Sequence, residues 1–296
     1  MMTYIIAFLS PLFYALSVII ESFLSLAVFK KPIVMLFFVS LTNALFVPLV
    51  LCLGTPTLPD GYSWLIYCLI ACIDICYLYP YYKALKKTDT SIVSSLFALG
   101  KIFVPILAFI LLQDKLETRQ YIGFVIIILA SAFLNKKSQD KFRLNQAFYL
   151  MFLSSFLLAL RICIVKYVLW RDNNYINVLI YPNLISGLIP FTFLVLKQNR
   201  REISRRIASY RRRFKFFVVI EFLTFLAVSC STIALSKLSP VISTAIEATE
   251  PLFVLSLAMI VNATRIYHFR ENTGLFKKIC CFILIILGIV LTCSEY

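Results

Sequence analysis

The chain is a succession of long apolar runs joined by short polar connections. A helix needs about 20 apolar residues to cross the hydrocarbon core of a bilayer. Each run must be helical, because in hydrocarbon only a helix satisfies its backbone donors and acceptors within one segment. The pattern predicts ten membrane-spanning helices, at residues 3–29, 32–53, 62–83, 91–113, 119–135, 144–168, 175–196, 216–235, 240–261 and 275–293.

Composition supports this interpretation and excludes the alternatives. Hydrophobic residues make up 61% of the 296 residues and charged residues 15%, against roughly 45–50% and 25% in soluble domains. A soluble or disordered chain is therefore excluded. The runs are continuous rather than alternating, which also excludes a transmembrane barrel. The first run lacks a basic leader and a small-residue cleavage site, so we expect a retained helix in an all-α integral membrane protein.

The net charge of +15 is distributed unevenly along the chain. Counted from the N-terminus, the odd-numbered loops carry 22 basic residues and the even-numbered loops carry 5. Basic loops stay in the cytoplasm, so both termini are expected outside, in a membrane of the bacterial inner type. The arginine-rich loop 197–215 is interpreted as a topology signal that contacts anionic lipid. A nucleic-acid patch is the alternative interpretation of that loop.

Nine cysteines lie mostly within the apolar runs. Cys68, Cys72 and Cys76 form a stripe at helical spacing, and such thiols can in principle bind a soft metal. No histidine or acidic motif accompanies them at ligand spacing, and small polarizable residues are ordinary packing material between helices. The sequence therefore predicts neither a metal site nor a cofactor.

The second half of the chain repeats the first. The stretch beginning at Ala84 aligns without gaps with the stretch beginning at Ala234, and ten of 27 positions are identical. This similarity predicts two five-helix repeats, at residues 1–140 and 141–296. Because five helices cross the membrane an odd number of times, the second repeat must be inverted relative to the first. Inverted repeats with a site near the midplane are typical of secondary transporters.

These stretches resemble the two halves of the drug/metabolite transporter superfamily. That family has an Ala-Leu pair at the end of helix three or eight, a Glu-Pro-x-Phe turn in helix four or nine, and an acidic residue at the helix end. A glycine-containing helix follows. The second half matches at Ala234, Leu235, Glu250, Pro251 and Phe253, and the first half at Ala84, Leu85, Phe103, Asp114 and Gly123. The resemblance implies a ten-helix carrier of small molecules.

The chain departs from the family pattern in three respects. Lys101 replaces the proline of the first half, and Thr264 replaces the acidic residue of the second half. Many relatives have both termini inside, whereas the loop charges here predict external termini. We follow the charges, because the asymmetry between the two sets of loops is large.

Ionisable side chains within the apolar runs are costly to bury in lipid, so each is a candidate functional residue. Glu247 and Glu250 are three residues apart, which places them on one helix face. Pro251 cannot donate to the carbonyl of Glu247, and Pro105 cannot donate to that of Lys101. Such freed carbonyls favour a cation or proton site, and both are expected to face one central cavity. The predicted substrate-binding residues are Glu247, Glu250, Lys101, Asp74, Arg161 and Tyr77.

Roles follow from the charges. The two glutamates are expected to bind a coupling proton or the cationic group of a substrate. Lys101 and Arg161 are expected to hold a carboxylate or phosphate, with Asp74 neutralising Lys101 in the empty site. Lys101 paired with Asp74 or with a glutamate is alternatively a structural ion pair.

Other side chains have a second interpretation as well. Arg161 either faces the cavity or extends to the interface. The aromatic face that includes Tyr77 is equally typical of packing. Glu21 and Glu221 lie nearer helix ends and are expected to be interfacial.

The sequence therefore predicts a secondary transporter that moves a small polar metabolite by alternating access. Mixed charge favours a zwitterion resembling an amino acid or nucleoside, with proton or cation coupling, carried by a monomer or homodimer without nucleic acid. No HExxH, GxSxG or glycine-rich phosphate loop is present, and the one histidine, His268, lies in a loop, so no enzyme is predicted. The alternative is an intramembrane enzyme or lipid-handling protein acting on an amphiphile.

Overall fold

The computed structural model describes residues 2–27, 29, 31–86, 93, 101–113, 117–134, 146–263, 280, 283–288 and 290–291. Within these ranges the regular elements are helical and no strand occurs, so the all-α class is confirmed. Most of the predicted segment 275–293 and the start of segment 91–113 lie outside the described residues, as do Asp114, Thr264 and His268. The helices are α1 (Met2–Ala27), α2 (Pro32–Asn43), α3 (Gly61–Leu85), α4 (Phe103–Leu112), α5 (Thr118–Leu134), α6 (Gln146–Asp172), α7 (Tyr175–Leu188), α8 (Lys197–Lys237), α9 (Pro240–Glu247) and α10 (Glu250–Ala263).

Six helical stretches among the described residues are long and apolar enough to cross a membrane. They are Met2–Glu21, Pro32–Cys52, Gly61–Leu85, Tyr149–Asp172, Tyr175–Val195 and Lys197–Lys237. Two further helices, Phe103–Leu112 and Thr118–Ala130, are also apolar but shorter. The chain is therefore a multi-pass membrane protein.

Helix starts follow local chemistry. The Asp60 carboxylate accepts a hydrogen bond from the amide of Ser63 at 2.9 Å and caps α3. Asn174 caps α7 in the same way, and Ser239 caps α9 immediately before Pro240, a residue well suited to the first helical position. These side chains satisfy amide donors that the first turn of a helix leaves without partners.

The helices α2 and α7 end alike. Each passes into a 3₁₀ helix that contains one proline, Pro48 in Ala44–Cys52 and Pro190 in Ile189–Val195. A proline cannot donate to the carbonyl four residues earlier, which favours departure from α-helical geometry at both places. The helix α7 meets the start of the first 3₁₀ helix where Gly187 lies against Ala44, since a Cβ added at Gly187 would approach the Ala44 Cβ to 2.9 Å.

The arginine-rich segment 197–215 is helical, so its prediction as a loop is wrong. It forms the first half of α8, a helix of 41 residues. At a rise of about 1.5 Å per residue, this helix is about 60 Å long. Ile203 is buried, and the ring of Tyr210 stacks on that of Phe38 in α2 with centroids 4.3 Å apart. Packing against α2 therefore extends the helix beyond the predicted apolar run.

The predicted continuous helix 240–261 is interrupted. The helix α9 ends at Glu247, and Ala248 and Thr249 form a turn before α10 begins at Glu250. The amide of Leu252 bonds to the Thr249 carbonyl at 2.9 Å within the new first turn. Pro251 is the second residue of α10, where its missing amide hydrogen has little cost. The break places two short helix ends in the interior of the protein.

The most extensive packing between helices occurs in two pairs, α1 with α8 and α3 with α6. Small buried residues, Ser10 and Ala15 in α1 and Ser154 and Ala159 in α6, allow close approach. The sequences around these two pairs are similar. The tripeptide Phe-Leu-Ser and the dipeptide Ala-Leu occur with the same spacing in α1 and in α6. Corresponding helices of the two predicted repeats therefore make corresponding contacts.

The two ends of the bundle differ. We call the end that carries segment 54–60 and the turn between α6 and α7 the polar end. The opposite end, where α1 finishes and α2 begins, is the aromatic end. There the ring centroids of Phe29 and Phe217 lie 5.4 Å apart in an edge-to-face contact, one of the arrangements that aromatic pairs prefer. This contact lies beside the stacked pair from α2 and α8.

Candidate functional site

A cavity lies between α1, α3, α6, α8 and the break between α9 and α10. The space free of protein atoms within it and at its opening to the exterior amounts to about 880 Å³. Of the six residues predicted to bind substrate, five line it: Tyr77, Lys101, Arg161, Glu247 and Glu250. Asp74 reaches the same region through its contact with Arg161. The structure thus brings together residues that are far apart in sequence.

Arg161 faces the cavity and does not extend to an interface. Its guanidinium Nε donates to Oδ1 of Asp74, and the two side chains form a largely buried ion pair between α6 and α3. Two charges in a dry interior are stable only when they are paired and hydrogen-bonded. The pair therefore fixes an arginine on the cavity wall with donors left for a second anionic group.

Lys101 pairs with Glu247 and not with Asp74, so the predicted pairing of Lys101 with Asp74 is wrong. The Lys101 ammonium lies 3.8 Å from Glu247 Oε2 and is 5% exposed as a residue. The Ser231 hydroxyl donates to the other oxygen of Glu247. The contact between Lys101 and Glu247 is long for an ion pair and correspondingly weak, which leaves the lysine and the glutamate able to exchange partners.

The prediction that Pro105 frees the carbonyl of Lys101 is wrong. That carbonyl accepts a hydrogen bond from the amide of Val104 at 2.9 Å, because the backbone turns tightly before α4 begins. Pro105 is the third residue of α4, and Pro251 is the second residue of α10. Both prolines thus lie in the first turn of a helix that starts in the interior.

Glu250 is the first residue of α10 and lines the cavity. A carboxylate in the first turn of a helix interacts favourably with the helix dipole. Glu250 also interacts electrostatically with Lys101 and Glu247. The glutamate pair predicted from sequence is therefore divided between two helices, with Glu247 paired and Glu250 turned to the cavity.

Glu21 and Glu221 are buried in the protein, so their expected interfacial position is wrong. Glu21 is 8% exposed and accepts hydrogen bonds from Tyr82 at 2.9 Å and from Tyr81 at 3.4 Å. Glu221 is 2% exposed, and its Oε1 has no hydrogen-bond partner among the described residues. The position of Glu21 near the end of an apolar run does not indicate that tyrosines of α3 donate hydrogen bonds to it.

Sequence reasoning missed four hydroxyl-bearing lining residues of α1 and α8: Tyr14, Ser17, Thr224 and Ser231. Their hydroxyl groups are a weak signal in an apolar run, because serine and threonine also serve as packing residues. Spacing was a usable signal, since Tyr14, Ser17 and Glu21 are three and four residues apart and share one face of α1. The cavity is therefore lined by hydroxyl groups as well as by charges.

The polar end is closed by contacts between segment 54–60 and α7. The side chain of Asn177 accepts from the Thr57 amide at 2.9 Å and donates to its hydroxyl at 2.7 Å. The Tyr181 hydroxyl donates to the Thr57 carbonyl at 2.8 Å. Three hydrogen bonds thus hold one exposed residue of the first half against a helix of the second half.

An ion pair and a lysine that binds backbone carbonyls complete the polar end. Arg171 bonds Asp60 at 2.6 Å, and the hydrogen bonds from Ser63 together with Arg171 hold the pKa of the Asp60 carboxyl below its ordinary value. The Lys166 ammonium donates to the carbonyls of Leu235 and Leu238 at 2.8 and 2.9 Å, at the end of α8. A lysine in this position satisfies carbonyls that the last turn of a helix leaves open.

The cysteine stripe lies outside the cavity. Cys68, Cys72 and Cys76 are exposed on the outer face of α3. In the described part of the chain no group of three or more histidine, cysteine or acidic side chains is arranged to hold a metal. The stripe belongs to the surface of the bundle and makes no contribution to the site.

Comparison with known proteins gives one family match and one likeness of fold. Residues 1–136 match the EamA-like transporter family. The resemblance to the drug/metabolite transporter superfamily is thereby confirmed, and the EamA-like match indicates a membrane transporter of small molecules. None of the curated proteins matches the sequence.

A solved crystal structure is similar to the whole chain in fold. It superposes with a TM-score of 0.67 over 98% of this chain and 96% of its own, at 11% sequence identity. At so low an identity the likeness concerns the fold alone. It extends beyond the EamA-like match into the second half of the chain.

Proposed function

We propose that the protein is a secondary transporter that moves a small zwitterionic metabolite, resembling an amino acid or a nucleoside, through the central cavity. The observation that carries this proposal is the mixture of charges on the cavity wall. Lys101 and Arg161 offer cations, and Glu250 offers a carboxylate. A ligand with one anionic and one cationic group satisfies both sets, whereas a purely cationic ligand leaves the two basic side chains unused.

Roles for the individual side chains follow from their present partners. Arg161 keeps Asp74 and uses its remaining donors for a substrate carboxylate or phosphate. Lys101 can leave its long contact with Glu247 for the same anionic group. Glu250 then binds the ammonium of the substrate near the start of α10, and Tyr77 offers an aromatic face beside it.

The architecture that suits this function is a ten-helix bundle of two inverted repeats, at residues 1–140 and 141–296. Support comes from the corresponding packing of α1 on α8 and α6 on α3, and from the proline-containing 3₁₀ endings of α2 and α7. The distribution of basic residues favours external termini and a membrane of the bacterial inner type. In such carriers the two repeats rock about a site near the midplane, which gives alternating access.

The experiment that tests the proposal is counterflow in liposomes that contain the purified protein. Labelled amino acids, nucleosides and phosphorylated metabolites are screened for uptake without chemical change. We expect uptake of a zwitterionic solute, reduced about 10- to 100-fold in Glu250→Gln and Lys101→Ala, because each variant removes a charge-assisted contact worth about 1.5–3 kcal/mol.

A matched control is Glu117→Gln, which removes a glutamate that is half-exposed before α5 and forms no part of the cavity. It should transport at the normal rate. Normal transport by folded Glu250→Gln and Lys101→Ala would refute the assignment of these residues. Movement of no solute, with formation of a product instead, would favour an intramembrane enzyme acting on an amphiphile.

A further inference from the structure

The exposed side of α8 changes in chemistry near the middle of the helix. Phe216, Val219 and Phe222 are exposed and follow one another at intervals of three residues, which places them on one side of the helix. In a chain that crosses a membrane, an exposed apolar side of this kind faces lipid. The helix is rich in basic residues before Phe216, so the exposed side passes from apolar to cationic within one turn.

Arg212 and Lys215 continue the same side of the helix. Arg212 lies four residues before Phe216 and seven before Val219, and both intervals bring side chains together on one side of a helix. Lys215 has the same relation to Val219 and Phe222. Both basic residues are exposed. We call the side formed by Arg212, Lys215, Phe216, Val219 and Phe222 the outward side of α8.

Arg206 and Arg213 lie on a different side of α8. Arg213 is four residues before Phe217 and seven before Ile220, and both of these apolar residues are fully buried. Arg206 is seven residues before Arg213 and therefore lies on the same side of the helix. The structure thus divides the basic residues of segment 197–215 by direction, whereas composition shows only their number.

The length of α8 indicates the depth of the outward basic residues. The helix ends at Lys237, at the polar end of the bundle. From Lys215 to Lys237 the helix axis rises about 33 Å, close to the ~30 Å thickness of a hydrocarbon core. The one charged residue between them, Glu221, is buried in the protein. Lys215 therefore lies at the edge of the hydrocarbon, and Arg212 lies about 4.5 Å further out.

The two outward cations have no anionic partner in the part of the chain that the structure describes. The only acidic residue between 197 and 215 is Glu202, which pairs with Lys31 at 2.9 Å. Neither Arg212 nor Lys215 forms an ion pair with a described carboxylate. A guanidinium can bind a phosphate through two parallel hydrogen bonds, and an ammonium adds a compact positive charge.

We propose that Arg212 and Lys215 bind the head group of an anionic phospholipid in the leaflet at the aromatic end. The lipid phosphate accepts hydrogen bonds from both cations, and the acyl chains lie along Phe216 and Val219. A lipid with a net negative charge is preferred to phosphatidylcholine, whose choline group offsets the charge of its phosphate. A nucleic acid would use the cations but would leave the apolar part of the outward side unoccupied. The site is independent of the proposed transport.

The test is native mass spectrometry of the purified full-length protein with phosphatidylglycerol or phosphatidylcholine. We expect the protein to retain phosphatidylglycerol in preference. The double variant Arg212→Gln, Lys215→Gln should bind phosphatidylglycerol about tenfold more weakly, with binding of phosphatidylcholine unchanged. The matched control is Arg206→Gln, Arg213→Gln, which removes the same charge from the same helix on the other side. This control should keep the affinity of the unaltered protein.

Three results would overturn the proposal. Equal loss of phosphatidylglycerol in the two double variants would show that net charge, and not the outward side, determines binding. Equal retention of the two lipids by the unaltered protein would show that no anionic head group is selected. Displacement of phosphatidylglycerol by inorganic phosphate or by an oligonucleotide at equal concentration would assign the cations to a soluble anion. If a double variant fails to fold, the adjacent single variants Arg212→Gln and Arg213→Gln make the same comparison.

Discussion

The polar end and the aromatic end of the bundle are closed by different kinds of contact. At the polar end, side chains of one half bond to backbone and side chains of the other half, as Asn177 does to Thr57. At the aromatic end, rings such as those of Phe29 and Phe217 pack against each other. A hydrogen bond contributes a net of about 0.5–1.5 kcal/mol because water replaces the lost partner. Buried rings lose their whole apolar contact area on separation, a loss that nothing in water replaces.

The position of the cavity also differs with respect to the polar end and the aromatic end. Its lining residues on α1 and α3 lie between the middle and the C-terminal end of each helix, from Tyr14 to Glu21 and from Tyr77 to Tyr81. These parts of the two helices lead to the aromatic end, and none of the lining residues comes from segment 54–60. In the proposed cycle, opening at the polar end requires the loss of a few hydrogen bonds, a cost that the binding of a substrate can supply.

The largest effect is expected in the cavity between the two ends, at its buried ion pair. Arg161→Ala leaves Asp74 buried without this partner, which typically costs about 3–5 kcal/mol. We expect a large fall in thermal stability and loss of transport. In the double variant Arg161→Ala, Asp74→Asn stability should be largely restored while transport stays lost. Thermal unfolding in detergent together with counterflow measures both, and a double variant that transports normally would contradict a binding role for Arg161.

A second variant weakens the polar end alone. Asn177→Ala removes both hydrogen bonds between its side chain and Thr57, worth together about 1–3 kcal/mol. Hydrogen exchange of the amides in segment 54–60 should therefore rise about tenfold. Asn183→Ala is the matched control, because Asn183 lies on the same helix and bonds Asn43 instead. Equal exchange in both variants would show that Thr57 does not close this end.

A third variant concerns the first half of α8, which begins at the aromatic end. Replacement of Arg211, Arg212 and Arg213 by glutamine should weaken the response of transport to anionic lipid by a few-fold. A basic residue near an anionic surface is worth about 1 kcal/mol, and salt screens it. Counterflow in liposomes with and without phosphatidylglycerol measures the response. If the triple variant keeps the full response, the lipid contact predicted for residues 197–215 is absent.

The smallest effect is a pH dependence of the polar end. The folded protein holds the pKa of Asp60 below its ordinary value, so the contact contributes stability above the ordinary pKa. This contribution is lost as the pH falls through the lowered value, because the carboxyl then becomes protonated. Hydrogen exchange at the start of α3 should increase in that acidic range. Asp60→Asn should remove the pH dependence, and its persistence in this variant would assign it to another group.

Much of the fold follows from the apolar runs, because the cost of unsatisfied backbone groups in lipid forces helices wherever about 20 apolar residues follow one another. The first half of α8 was missed because arginines dominate its composition. Ile203, Tyr210 and Phe217 nevertheless recur every seven residues, a spacing that places them on one face of a helix. Attention to that spacing within the basic segment would have extended the predicted helix.

The residues of the site were easier to predict than their pairing. Lys101, Arg161 and Glu247 were singled out because a charge within an apolar run is expensive. Whether Lys101 meets Asp74 or Glu247 depends on the rotation of each helix about its own axis, which no linear pattern fixes. The burial of Glu21 depends likewise on tyrosines from a helix 60 residues further along the chain.

The three thiols on the outer face of α3 give the chain a set of built-in probes. Cys68, Cys72 and Cys76 are exposed and follow one another at intervals of four residues. Such an interval corresponds to a rise of about 6 Å along a helix axis. With the exposed Cys52 replaced and one thiol of the stripe kept at a time, an attached spin label would report accessibility to oxygen and to a water-soluble quencher at each of three depths. Such a measurement would fix the position and tilt of α3 in a bilayer without alteration of any residue of the cavity.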